Sequence, residues 1–356
     1  MALIIRSLLD FLVISSISLV VLQQKSNGED QLLMLQKPRL MKCRFDKIFQ
    51  LGDSLSDTGN CIRENLCARG FLCGRFPYGM NFFQNTTGRC SNGMLMIDFI
   101  VAGATALSTE NLAEEKIVNS VTNSSLSVQL DWMSTHFKST YPTDRLSKLK
   151  KSLFLVGEIG GNEFNYGLFK GKTLKELRSM VPKVVQTIIQ GVRTVISFGA
   201  TRIIVPGNFP IGCLPIFLTQ FRTSDSTAYD EYHCLQDLND LAIFFNDHLK
   251  QAIQELKEEH SNIALVYGDY YNAYMWLLQN AMFLGFDKNS LLKACCGIGG
   301  DYNYDVHNQC GAIGVSVCTD PSTYISWDGV HLTEKTYSWL ARWLIDDMLP
   351  KLNCHV

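Results

Sequence analysis

The 356-residue chain has little of what marks a nucleic-acid or membrane-spanning protein. Its 32 basic side chains are offset by 34 acidic ones, for a net charge of −2, and no Lys/Arg run is long enough to make a basic patch. Such a chain creates no field that gathers phosphates, which argues against nucleic acid as a partner. Beyond the first residues nothing approaches about eighteen uninterrupted apolar positions, and a helix needs about twenty to cross a bilayer, so no transmembrane segment is expected in the mature protein. Internal repeats, low-complexity tracts and Pro/Ser/Gly linkers are also missing, which favours one domain over two. The 12 cysteines include no C-x-x-C pair, so they do not read as a zinc site, and nothing calls for a metal or another cofactor.

What is present is an ordinary globular composition, 46% hydrophobic and 19% charged, ample for a core that needs no help from metals or disulfides. The first residues indicate a compartment. Arg6 gives a basic start, Phe11 to Leu22 is an apolar run interrupted only by serines, and Gln23 to Asp30 is polar. This is the layout of a secretory signal, expected over residues 1–28, with residues 29–356 as a single domain. The expected destination is the cell exterior or the vacuole. All 12 cysteines, Cys43 to Cys354, follow that segment, and in an oxidising lumen an even number can pair. Cys61, Cys67, Cys73 and Cys90 crowd one region, and Cys295, Cys296, Cys310 and Cys318 another, so local staples are expected with the connectivity open. Asn85-Thr-Thr and Asn123-Ser-Ser are glycosylation acceptors.

Short apolar runs at Ile48–Leu51, Leu153–Val156, Ile203–Val205 and Ile263–Val266 read as buried strands. Between them lie helical patterns: Leu174 to Phe198 with Gly199 placed to end it, and Leu238, Leu241, Phe245, Leu249, Ala252 and Leu256 at three- and four-residue steps. A last helix follows Thr333 and carries Tyr337, Leu340, Leu344 and Leu349. Strands alternating with helices imply a parallel sheet covered on both faces, with ligands beyond the carboxyl ends of the strands.

The residues that carry chemistry fall where that rule puts them. Gly52-Asp53-Ser54 follows the first strand, and a serine at a strand-to-helix turn can present its hydroxyl beside free backbone N–H groups. Taken alone it could equally be a helix cap. Near the other end, Trp327-Asp328-Gly329-Val330-His331 puts a carboxylate three residues before an imidazole. A turn of that kind can hold the acid on one ring nitrogen and leave the other to take a serine proton.

On these residues the chain resembles the plant GDSL-type esterases and lipases of the SGNH hydrolase superfamily. The likeness runs from Phe49 almost to the end, through four blocks in order: Phe49 to Asn60, Val101-Ala102-Gly103-Ala104-Thr105-Ala106-Leu107, Gly160-Gly161-Asn162-Glu163, and Trp327 to Glu334. Leu66-Cys67-Ala68-Arg69 and Cys90 to Asp98 are similar to the acetylajmalan esterase-like branch. The resemblance implies an α/β fold, flavodoxin-like, in three α/β/α layers around a mainly parallel sheet. It also implies a secreted carboxylic ester hydrolase. Ser54 would be the nucleophile, Asp328 and His331 the other triad members, and Ser54 N–H, Gly103 N–H and the Asn162 amide the oxyanion donors. The partner would be a small-molecule or lipid ester, with a small or short-chain acyl ester expected as the substrate, and the protein a monomer.

Two departures from the family pattern carry expectations. Glu163 replaces the usual Asp, which should shift one hydrogen bond. More seriously, Ile100 runs straight into Val101 where relatives have a loop and a further strand. The sheet should therefore lack one edge strand beside the strand of Ser54, and a helix at Met94–Ile100 would have to reverse sharply to deliver Gly103. This opens a second reading, a hydrolase-fold protein with an impaired oxyanion hole that binds rather than cleaves or is an unstable splice or gene-model variant.

Overall fold

Four short runs of apolar residues form the sheet: β1 (Ile48–Leu51), β2 (Leu153–Val156), β3 (Arg202–Pro206) and β4 (Ala264–Gly268). In the computed structural model, which describes residues 43, 45–57, 59–63, 72–81, 86–95, 101–119 and 121–352, they lie in the order β1-β2-β3-β4. All three pairings are parallel, with Ile48 opposite Leu153, Phe154 opposite Ile203 and Ile203 opposite Leu265. The strands are almost wholly buried, as parallel strands covered on both faces must be.

The period of two in each strand sorts side chains to opposite faces. Phe49, Leu51, Phe154, Val156, Ile203, Val205 and Leu265 share one core cluster with residues of α1 (Leu126–Thr140), α3 (Leu174–Phe198) and α4 (Gln236–Glu259). Between β2 and α3 lies the short α2 (Asn162–Phe169). The other face meets the last helix, where a side chain at Gly268 would touch both Ile204 and Met348. Two helices pack together there, α5 (Tyr270–Asn280) and α6 (Glu334–Met348). This gives the three layers expected from the pattern.

Local sequence explains the helix ends. Thr173 and Glu176 close a capping box at the start of α3, and Gly199 ends it in the left-handed region at φ 113°, which glycine adopts without cost. Thr333 caps α6 by accepting from the Thr336 N–H. On α6 it is Met348, rather than Leu349, that completes the buried stripe with Tyr337, Leu340 and Leu344.

No strand pairs with the free side of β1 among the described residues, as expected from the short join at Ile100 and Val101. The end of that edge is not left bare. Gln129, buried on α1, accepts from the Gly52 N–H at 2.9 Å and donates to the Gly52 carbonyl at 2.8 Å. One side-chain amide thereby satisfies a backbone N–H and C=O that a neighbouring strand would otherwise pair.

Residues Phe45–Asn353 form one compact unit. The other unit, Met1–Arg44 with Cys354–Val356, lies outside the described residues except for Cys43, and the expected signal at 1–28 lies there with it. No described helix is long and apolar enough to cross a membrane.

Four disulfides are described. Cys73–Cys90 staples the region after the first block, and Cys295–Cys318 and Cys296–Cys310 knot the segment around a small antiparallel pair, β5 (Cys296–Gly297) with β6 (Ser316–Val317). These are the local staples that the clustering suggested. Cys213–Cys234 joins two loops whose cysteines give no such clue.

Candidate active site

The carboxyl ends of β1 and β2 deliver two of the sequence blocks side by side. Asp53 and Ser54 sit in the turn directly after β1, both buried. Glu158 follows β2, and Asn162 opens α2. The two turns are tied by side chains. The Ser56 hydroxyl donates to Glu158 Oε2 at 2.7 Å, and Gln50 Nε2 donates to Ser56 at 2.8 Å. Asn162 Nδ2 reaches Asp53 Oδ2 at 3.3 Å.

The Val101–Ala104 turn is bound to both. The Ala102 N–H donates to Asp57 Oδ2 at 2.9 Å, the Asn162 amide donates to the Ala104 carbonyl at 2.8 Å, and the Leu107 N–H donates to Glu163 Oε1 at 2.9 Å. Gly103 has φ +75°, and a Cβ there would lie 2.6 Å from Val121 Cγ1, so both conformation and space demand glycine. Its carbonyl accepts from Tyr166 and from Asn119, each at 2.9 Å. Of the expected helix at Met94–Ile100, Met94 and Leu95 are irregular and residues 96–100 lie outside the described ones. Whatever path the chain takes there, Asp57, Asn162 and Glu163 hold the Gly103 turn against the β1 and β2 turns.

Among the described residues, no cation pairs with the buried carboxyl groups beneath these turns. Burial raises Glu158 and Glu163 each to about 7. Burial, reinforced by the charges of Glu158 and Glu163, pushes Asp53 well above the usual range. Glu158 Oε1 and Glu163 Oε2 have no hydrogen-bond partner, as suits carboxyl groups that keep a proton.

The C-terminal loop is built differently. Asp328 Oδ1 accepts the N–H groups of Val330 (3.0 Å) and His331 (2.7 Å), while Oδ2 meets His331 Nδ1 at 2.7 Å and the Tyr78 hydroxyl at 2.9 Å. Four donors meet the four acceptor positions that a carboxylate offers. Burial alone would raise Asp328, but the charge of His331 and its hydrogen bonds outweigh it and hold the carboxyl below its ordinary value. Gly329, at φ +98°, leaves room for Tyr304, whose ring would lie 2.3 Å from any Cβ there. His331 is buried, and its Nε2 makes no hydrogen bond. Ser54 Oγ therefore does not bond it in this resting arrangement, a common looseness in sites without substrate. The disulfide knot anchors the loop, because Cys295 and Cys296 donate their N–H groups to the carbonyls of Ser326 and Trp327 at 3.0 and 2.7 Å.

The two halves converge on Tyr337. Burial raises its hydroxyl well above the usual range, and Glu158, Asp328 and Asp53 add to that shift, so the turns after β1 and β2 and the Asp328 loop all act on one buried phenol. Tyr78, Gln129 and Glu158 belong to this site and escaped the sequence reading of roles. The Cys73 and Cys90 sulfurs lie within 4.8 Å of an imidazole nitrogen of His331, but they are joined to one another and offer no thiolate to a metal. Of the two sequon residues, Asn123 is exposed and Asn85 lies outside the described residues.

The family model of the GDSL-like Lipase/Acylhydrolase matches residues 48–344. A GDSL esterase/lipase of Arabidopsis thaliana is 43% identical over 313 residues, covering 88% of this chain and 92% of that protein. Acetylajmalan esterase 1 of Rauvolfia serpentina is 41% identical over 340 residues, covering 88% of this chain and 89% of its own. A further acetylajmalan esterase of that plant is 41% identical over 343 residues, with 88% of each chain covered. The same share of this chain thus spreads over more positions against the Rauvolfia enzymes than against the Arabidopsis one, so those enzymes carry residues that have no counterpart here.

Proposed function

The chain belongs to the GDSL-like lipase/acylhydrolase family and is a carboxylic ester hydrolase, and we propose that it works through Ser54, Asp328 and His331 by way of an acyl-enzyme. The observation that carries this reading is the Asp328–His331 pair. Its imidazole is fixed through Nδ1 at 2.7 Å, and its Nε2 is buried and unbonded. His331 Nε2 takes the Ser54 hydroxyl proton as Oγ attacks the ester carbonyl carbon. The tetrahedral oxyanion is met by the Ser54 and Gly103 N–H groups and by the Asn162 amide, whose second N–H turns to it from the 3.3 Å contact with Asp53 Oδ2. Collapse breaks the ester C–O bond, and the leaving alkoxide takes the proton from His331. Water repeats the cycle in reverse, with His331 as base, and releases the acid and free Ser54.

The docking of the Gly103 turn on Asp57, Asn162 and Glu163 supports a working oxyanion site despite the short join before it. Residues 1–28 act as a secretory signal, residues 29–356 as one exported domain, and Asn85 and Asn123 as glycan acceptors. The staples at Cys73–Cys90, Cys295–Cys318 and Cys296–Cys310 suit that route. The substrate is a small or short-chain acyl ester, since nothing in the chain reads as a lipid-binding lid and two relatives are named for an acetyl ester.

A fluorophosphonate probe tests the nucleophile on the secreted protein. Wild type is expected to label and Ser54→Ala not to; labelling that persists in Ser54→Ala overturns the assignment. In a p-nitrophenyl ester series, acetate and butyrate are expected to turn over at least about tenfold faster than palmitate, a difference of about 1.4 kcal/mol in the barrier. A preference for the long chain overturns the substrate reading. Product analysis in the presence of an added alcohol separates hydrolysis from acyl transfer.

A further inference from the structure

Asp328 Oδ2 serves two partners from opposite ends of the sequence. One is His331 Nδ1. The other is Tyr78, 250 residues away along the chain, whose hydroxyl donates at 2.9 Å. Tyr78 is 4% exposed, and its ring stands edge-on to Trp327 with centroids 6.1 Å apart. A buried phenol usually finds a partner. The unusual point is that this partner is the carboxylate that already holds the imidazole.

The segment carrying Tyr78 is braced on several sides. The Gly79 and Asn81 N–H groups donate to the carbonyls of Ser91 and Asn92, both at 2.8 Å. The Cys73–Cys90 disulfide closes the same segment covalently beside His331. Asn92 Oδ1 in turn accepts the Glu334 N–H at 2.8 Å, tying the whole segment to the start of α6, three residues after His331. A loop fixed this firmly brings Tyr78 to Asp328 with little orientational freedom to lose.

From this geometry we infer that Tyr78 is a positioning residue of the hydrolase, holding Asp328 Oδ2 in line with His331 and sharing its charge. The inference rests on the triad reading above. Two effects follow from a donor on that oxygen. It fixes the carboxylate rotamer, and so the imidazole plane that must face Ser54. It also draws charge from Oδ2, so the carboxylate favours the protonated imidazole less than an undivided one would. The other titratable groups facing the pair are Tyr304, from the loop between β5 and β6, and Tyr337, from α6. Burial keeps both phenols uncharged in the working range, as it does Tyr78 itself. Asp53 and Glu158 act on the same Tyr337 ring from the strand ends. Among these groups, Tyr78 is the one whose hydroxyl donates to Asp328.

Tyr78→Phe removes the hydroxyl and keeps the ring against Trp327. Active sites are counted with the fluorophosphonate, and kcat and KM for p-nitrophenyl acetate are measured from pH 5 to 9. The expected result is a kcat about three- to tenfold lower per labelled site, an unchanged KM, and an acid limb of kcat/KM moved to higher pH by about half a unit or more. A merely structural role would lower the number of labelled sites and leave the limb in place. An acid limb that does not move, with kcat per site within about twofold of wild type, overturns the inference. The control Ser54→Ala keeps the two claims apart: if it retains turnover the triad reading fails, and if it is inactive while Tyr78→Phe behaves as wild type only the role of Tyr78 fails. Should Tyr78→Phe be poorly secreted, the Cys73→Ser/Cys90→Ser double variant, which loosens the same segment and leaves the hydroxyl in place, is expected to show the same lower kcat per labelled site. A normal kcat in that variant as well overturns the inference.

Discussion

Asp328 and Glu163 are both fully enclosed carboxyl groups of one site, and the protein holds them in opposite ways. Asp328 receives four donors, one of them the His331 imidazole, and it is kept below its ordinary value. Glu163 receives the Leu107 N–H on one oxygen and nothing on the other, and burial raises it to about 7. Burial alone does not decide the charge of a carboxyl group; the donors supplied to it do. The loop of Asp328 thus holds a charge ready to stabilise an imidazolium. The strand ends hold neutral acids that act as struts between backbone segments.

The widest test of that contrast swaps each acid for its amide. Asp328→Asn is expected to lower kcat by about 10³–10⁴, because an amide cannot both accept from Nδ1 and carry the compensating charge. Glu163→Gln keeps the acceptor for Leu107 and resembles the protonated acid, so kcat is expected to stay within about threefold of wild type. Steady-state kinetics on matched counts of active sites checks both, and equal losses in the two variants would erase the distinction.

Next in size is the oxyanion side. Asn162→Ala is expected to lose about 10²–10³ in kcat, roughly 3–4 kcal/mol of transition-state stabilisation. Its secretion and melting temperature should fall only modestly, since Asp57 and Glu163 still hold the Gly103 turn. Wild-type turnover would remove Asn162 from the oxyanion site.

The smallest effect concerns stability and pH. The folded chain keeps protons on Glu158 and Glu163 up to about 7, whereas the ordinary value is 4.5. Between those values the folded state binds more protons than the unfolded one, so this contribution to stability is full below about 4.5 and is lost as pH rises through about 7. Thermal melts from pH 4.5 to 7.5 are expected to show a falling melting temperature, with a shallower fall in Glu163→Gln. An identical slope in that variant would mean that Glu163 is already ionised in the folded protein.

Much of the architecture was open to reading because it is written in local pattern. The runs at 48–51 and 153–156 are short, apolar and bounded, and α3 is framed by the Thr173 box and Gly199. The Asp328–His331 pair was also legible, since three residues and a glycine suffice to close that turn. Gln129 and Tyr78 were not. Each lies far along the chain from the group it serves, Gln129 77 residues from Gly52 and Tyr78 250 from Asp328, and no spacing rule spans such a distance. What holds the Gly103 turn was not legible for a related reason. The short join at Ile100 and Val101 invites a steric argument, while the hydrogen bonds that hold the turn come from Asp57, Asn162 and Glu163 in other blocks.

By itself, the sequence determined the parallel α/β architecture, the family and the residue types of the proposed triad, because periodicity, caps and short turns depend on neighbours a few positions apart. Only the tertiary structure decided which carboxyl groups are charged, how the open edge at β1 is satisfied, and what steadies Asp328. Those outcomes depend on donors and burial that are assembled when distant segments meet.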